Sequence, residues 1–205
     1  ETSADGVLTK LSRKKIFYNL DLNSENMKFS VDKNGFNIEG NATLGQTDIF
    51  LKGKKNYIDL SKFVSKYNLS GKIDENDIEK SFNLKVTPYI KGPIDFNASY
   101  FIFKGKKERI KTSNNLKDAE LNIPALNIIK YKGSEAAVDI DFDFSNGKLK
   151  EIKIVNYKQD NKEVKGLVKL SKEFKPYKSL ELDLKNNGKK TSIKILRNKD
   201  LNTLD

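Results

Sequence analysis

The sequence predicts an all-β protein with one short helix, laid out as an antiparallel meander of long twisted strands. Three observations carry this. Apolar residues recur at every second position along most of the 205 residues. Asn-Gly dipeptides fall between the alternating runs. Only one stretch reads as a credible helix. Side chains alternate across a strand, so each run has one apolar and one solvated face, whereas buried parallel strands would be apolar throughout.

Taken in order, Ile16, Tyr18, Leu20 and Leu22 open the series, followed by Met27, Phe29 and Val31. Asn34-Gly35 marks a hairpin in which both residues accept positive φ. Phe36, Ile38, Ala42 and Leu44 come next, with Gly40 on the same face. Leu60, Phe63, Val64 and Tyr67 have helical spacing, but Tyr67, Leu69 and Ile73 alternate, and residues 66–73 are read as strand. A helix is expected near 75–83: Asp74 can cap it, Asp77 falls in its first turn, and Ile78 and Phe82 share a face.

Gly92-Pro93 marks a reversal before Ile94, Phe96, Ala98, Tyr100 and Ile102. Leu121 and Ile123 form a shorter run. The clearest alternation is Ala136, Val138, Ile140, Phe142 and Phe144, interleaved with Asp139, Asp141 and Asp143. Ile152 and Ile154, then Val164, Val168 and Leu170, then Leu180, Leu182 and Leu184, then Ile193 and Ile195 complete the set. Turns at Asn146-Gly147, Gln159-Asp160-Asn161 and Asn187-Gly188 separate them.

The segment Phe36–Leu44, with Gly40 on its apolar face, is echoed by Glu163–Leu170 with Gly166, and more briefly by Asn68–Ile73 with Gly71. A glycine at such a position marks a bulge or a close approach to the backbone. The expected organisation is one β segment of a longer protein over residues 1–205. Possible repeat units at 16–73 and 94–197 would be joined by the helix.

Composition narrows the function. Hydrophobic residues make up 37% and charged residues 33%, a lean core against the roughly 45–50% apolar and about 25% charged content usual for a compact domain. A net charge of +11 draws a protein toward polyanions or anionic lipid, although a Lys- and Asn-rich composition also follows from an AT-rich genome. With no His, Cys or Trp, imidazole bases, thiolate nucleophiles and Cys/His metal sites are excluded. No seryl group has a histidine to activate it and no glycine-rich phosphate loop occurs, so neither an enzyme nor a cofactor is expected. The basic stretch Lys104–Lys111, with Phe101 and Phe103 beside it, has the residue types of a nucleic-acid site. The alternation with Tyr100 and Ile102 instead suggests a strand apolar on both faces, and no nucleic acid is expected. The Asp139, Asp141, Asp143 row suits a solvated face better than a Ca²⁺ site, with Lys150, Lys153, Lys165 and Lys169 as cross-strand partners.

A sheet apolar on one face must cover that face. With one helix available, the choices are a closed barrel, a sandwich, or an open trough covered by a ligand, and the pattern alone favours the sandwich. Two stretches shift this. Tyr67-Asn-Leu-Ser-Gly-Lys-Ile-Asp74, followed by the helix, Leu84 and Pro88-Tyr-Ile-Lys-Gly-Pro-Ile-Asp-Phe-Asn-Ala98, resembles the AsmA-like superfamily, in particular its large YhdP-type periplasmic proteins. Leu116-Lys-Asp-Ala-Glu-Leu-Asn-Ile-Pro-Ala-Leu126 with Tyr131-Lys-Gly133 is similar to a second segment of that family.

The resemblance implies an open, groove-like (taco-shaped) elongated sheet that conducts phospholipid or another acyl lipid across the bacterial envelope. It also implies a periplasmic location, with an inner-membrane anchor supplied by segments outside this chain. The groove lining would then comprise Phe29, Val31, Ile38, Ala42, Leu44, Phe96, Ala98, Tyr100, Leu121, Ile123, Val138, Ile140, Phe142, Ile154, Val168 and Leu182. The rival readings are a β-sandwich spacer without ligand and a polyanion- or lipopolysaccharide-binding module.

Overall fold

In the computed structural model, residues 3–17, 20–82, 85–170 and 177–196 are described. Fifteen strands and one α-helix follow in chain order: β1 (Ala4–Phe17), β2 (Leu20–Val31), β3 (Gly35–Leu44), β4 (Thr47–Asn56), β5 (Ser65–Ile73), α1 (Glu75–Phe82), β6 (Ile90–Lys91), β7 (Ile94–Phe103), β8 (Lys107–Asn115), β9 (Glu120–Ile123), β10 (Ile128–Lys130), β11 (Ala137–Ser145), β12 (Lys148–Gln159), β13 (Lys162–Leu170), β14 (Tyr177–Asn186) and β15 (Lys189–Leu196). The expected positions of Tyr18 and Leu84, and the Phe82 side chain, lie outside the described residues.

Twelve of the strands form one sheet in the order β1-β2-β3-β4-β5-β7-β8-β11-β12-β13-β14-β15, antiparallel throughout. It does not close: β1 and β15 are its two edges. The chain exposes 14023 Å², against roughly 9,700 Å² for a compact monomer of this length. The excess is what a thin open sheet produces.

The remaining strands make a small sheet, β10-β9-β6. Both of its sources leave the large sheet at the same margin. Residues 74–93 connect β5 to β7 and residues 116–136 connect β8 to β11, and the register places Ile73 opposite Ile94 and Asn115 opposite Ala137. Most other described connections are two or three residues long, with residues 57–64 an eight-residue exception between β4 and β5. At Asn146-Gly147 and Asn187-Gly188 both residues have positive φ, as a type I′ hairpin requires.

Asn34-Gly35 departs from that expectation, because neither residue has positive φ. Here the Asp32 carboxylate accepts from the backbone N–H groups of Asn34 (2.7 Å) and Gly35 (3.0 Å), and these bonds hold its pKa below the usual aspartate value. Glycine is needed at 35 for another reason: a Cβ there would stand 2.3 Å from the Lys55 carbonyl oxygen.

The Gly40 and Gly166 echo also has a structural counterpart. Opposite Gly40, residues 24–27 of β2 face residues 40–42 of β3, one extra on the β2 side. Opposite Gly166, residues 155–156 of β12 face residue 165 of β13, again one extra. Each glycine lies at or beside a one-residue bulge in the preceding strand. Met27, 0% exposed, fills the first of these sites.

Candidate functional site

The strand registers assemble one uninterrupted row across all twelve strands: Gly6, Phe29, Ile38, Gly53, Tyr67, Tyr100, Ile110, Phe142, Ile152, Val168, Leu180 and Ile195. None is charged. A second row beside it runs Leu51, Leu69, Ala98, Thr112, Ile140, Ile154, Gly166, Leu182 and Ile193. At a strand spacing of ~4.8 Å, eleven steps make the first row ~53 Å long.

A third row lies along the margin where the long connections leave: Ala42, Ile49, Gly71, Phe96, Asn114, Val138, Tyr157, Val164 and Leu184. From Phe96 onward its neighbourhood is covered. Leu116, Ala119, Leu121 and Ile128 are buried against Ile94, Tyr157 and Val164, with Ile78, Ile90, Ile123 and Leu126 packed around them. Helix and small sheet together therefore form a cap along this margin.

The cap is tied down by polar contacts as well. Asp74 accepts from the Asp77 N–H at 2.9 Å, capping α1, and Glu75 accepts from the Gly92 N–H at 2.7 Å. Gln159 donates to the Ile129 carbonyl at 2.9 Å and accepts from the Tyr157 hydroxyl at 2.8 Å. Burial raises the Tyr157 pKa to about 12, so the phenol stays a donor. Lys130, 1% exposed, donates to the carbonyls of Ala119 (2.7 Å), Lys117 (3.1 Å) and Tyr131 (3.1 Å). Its loss of solvation lowers its pKa.

A separate buried cluster, Leu22, Met27, Ala42, Ile49 and Leu51, occupies the same face of β2–β4, with Leu8, Leu11, Ile38, Leu44, Tyr67, Leu69 and Phe96 against it. Between and beyond the two clusters, Tyr100, Ile110, Ile140, Phe142, Ile152, Val168, Leu180 and Leu182 are half-buried. They belong to neither cluster. This is an open apolar strip bounded by the cap on one side. On the other side the next row mixes Val31, Phe36, Ile102, Phe144 and Leu149 with Lys55, Ser65 and Glu108. Tyr100 stacks on Tyr67 with centroids 6.2 Å apart and donates its hydroxyl to Glu108. Burial and that carboxylate both raise its pKa.

Of the residues expected to line a groove, Phe29, Val31, Ile38, Ala42, Leu44, Phe96, Ala98, Tyr100, Val138, Ile140, Phe142, Ile154, Val168 and Leu182 share this one face of the large sheet. Leu121 and Ile123 do not. They belong to β9 of the cap, and Leu121, 5% exposed, is sealed within its cluster. Four-residue alternation in a connection looks the same as alternation in the main sheet. Gly53, Tyr67, Ile110, Ile152 and Leu180 are strip residues absent from the expected lining. Ile110 sits inside a basic run whose charges hid the alternation.

On the reverse face, Arg109 and Asp143 form a two-pronged ion pair at 2.5 and 3.1 Å, and Lys111 meets Asp141 at 3.7 Å. The expected partners on the other side play a smaller part: Lys153 faces Asp141 in register, but Lys165 faces Asp183 and Lys169 faces Glu151. The basic run 104–111 is thus partly neutralised by the aspartate row. Phe101 also lies on this face, beside Phe103 at 6.1 Å and Phe63 at 6.2 Å, with Lys66 over its ring. Strand β7 is apolar on both faces at this end. Among the described residues no group of three potential ligands could hold a metal ion, and no helix is long and apolar enough to cross a membrane.

Compared with protein-family models, curated proteins and solved structures, the chain has no match.

Proposed function

We propose that this protein binds acyl lipid along the open apolar strip, without catalysing a reaction. The uncharged row that crosses twelve strands is the observation that carries this reading. A row of ~53 Å exceeds three times the ~15 Å depth of one leaflet's hydrocarbon. An acyl chain about one leaflet deep would lie across about four strands at a time, and each methylene removed from water contributes up to about 0.8 kcal/mol. The cap gives such a chain a wall along one flank, and the lysines of the opposite rim and edges stand where anionic headgroups would meet solvent.

Lipid conduction across a bacterial envelope, a periplasmic location and attachment to the inner membrane through other segments are what the AsmA-like resemblance adds to this proposal. The two stretches that carry the resemblance are those that build the cap and its flanking strands. Native mass spectrometry and solvent extraction of the purified chain test the binding. Co-purified phospholipid, lost on Phe142→Ser and Ile110→Ser, is the expected result. A lipid-free protein that also fails to take up a fluorescent phospholipid from vesicles would leave a ligand-free spacer as the function.

A further inference from the structure

On the reverse face, strands β4, β5, β7, β8, β11 and β12 line an open, shallow cleft of about 600 Å³. Its floor is a single register row in which Phe50, Ser70, Asn97, Ser113 and Asp139 face one another strand by strand. Each flanking row carries an ion pair, Lys72 to Asp95 at 3.3 Å on one side and Lys111 to Asp141 at 3.7 Å on the other, with Asn68 and Ser99 bonded to each other at 2.8 Å beside the second. In a chain with 33% charged residues, three adjacent strands therefore set uncharged hydrogen-bonding groups between two neutralised borders. Ser70, Asn97 and Ser113 have no side-chain partner among the described residues.

An amide and two hydroxyls, all able to donate and accept, match a ligand whose own groups do both. Phe50, 46% exposed, offers a flat apolar surface at one end, and the Asp139 carboxylate accepts hydroxyl protons at the other. A polyanion would find each lysine of the cleft set against a carboxylate. The five positions span ~19 Å at the strand spacing, the scale of several linked sugar rings. We propose that this cleft binds a neutral oligosaccharide laid across the strands, its hydroxyls on Ser70, Asn97 and Ser113 and one ring face on Phe50. The site is on the opposite face from the apolar strip and stands or falls separately from lipid binding.

Calorimetric titration of the full chain with maltohexaose, cellohexaose and chitohexaose tests it. At least one is expected to bind, with Asn97→Ala and Phe50→Ala each weakening it tenfold or more while Phe142→Ser on the other face leaves it unchanged. Asn97→Asp, which keeps the side-chain shape, serves as a second variant against a folding artefact, with the same expected loss. No binding of any of the three at millimolar concentration overturns the proposal, as does binding indifferent to the cleft substitutions. Displacement of the bound sugar by a heparin hexasaccharide would make this a polyanion site instead.

Discussion

The capped margin of the apolar face and the strip beside it are built from the same residue types in the same alternation, yet they end differently. Along one, Ile94, Tyr157 and Val164 are buried under Leu121 and Ile128. Along the strip beside it, Ile110, Phe142 and Ile152 are only half-buried. What differs is the length of chain between strands. Residues 74–93 and 116–136 have room to fold back as a cap, whereas the turn at 146–147 has none. Alternation decides which side of a strand is apolar; the connections decide whether anything covers it.

Cap removal is the strongest way to break this contrast. Leu121→Ala is expected to cost about 2–5 kcal/mol through lost burial and the cavity left behind, read by urea denaturation. Phe142→Ser on the strip should cost about 1 kcal/mol while abolishing lipid uptake. Equal destabilisation by the two would mean the strip is core and not surface. Next in size, Gly35→Ala should cost about 1–3 kcal/mol, because its Cβ would press on the Lys55 backbone oxygen. Gly166→Ala should cost less, since the atom it meets at 2.6 Å is the end of the Leu182 side chain.

Lys130→Ala sharpens the comparison from the polar side. It strips three carbonyls of a buried donor, for about 1–3 kcal/mol, visible as a lowered melting temperature. The same lysine gives a pH signature. Its pKa is lower folded than unfolded, so between those two values the unfolded chain holds more protons and stability rises with pH. The advantage of wild type over Lys130→Met should therefore grow as pH climbs through the alkaline range toward ~10.4, the unfolded lysine value, in paired thermal melts. A flat or falling difference would place the ammonium in water. Smallest of all, Glu79→Ala should release the loop at Val86 and Thr87, whose N–H groups donate to the carboxylate at 2.8 Å, seen as faster amide exchange there with little change in global stability.

Much of the sheet was legible because period-two patterning is local: Ala136–Phe144 and Leu180–Leu184 announce their faces without reference to any neighbour. The helix was legible for the same reason, since Asp74 and its acceptor geometry lie within one turn. What sequence could not separate was β9 from a strand of the main sheet. Leu121 alternates like Ile140, and only its partners, Ile90 and Lys130, reveal a different layer. The row through Ile110 was obscured because Arg109 and Lys111 surround it with charge that belongs to the opposite face. The polar cleft had no signal at all. Ser70, Asn97 and Ser113 are far apart in the chain and join only through register.

Both cap-forming excursions leave from the same margin, while at the facing margin the described connections 32–34, 104–106 and 146–147 are two or three residues long and 57–64 is eight. A lipid bound as proposed would not need to be threaded in from one end like a rope through a pipe. It can be rolled in sideways along its whole length, under an awning fixed on the far side, and leave by the same route.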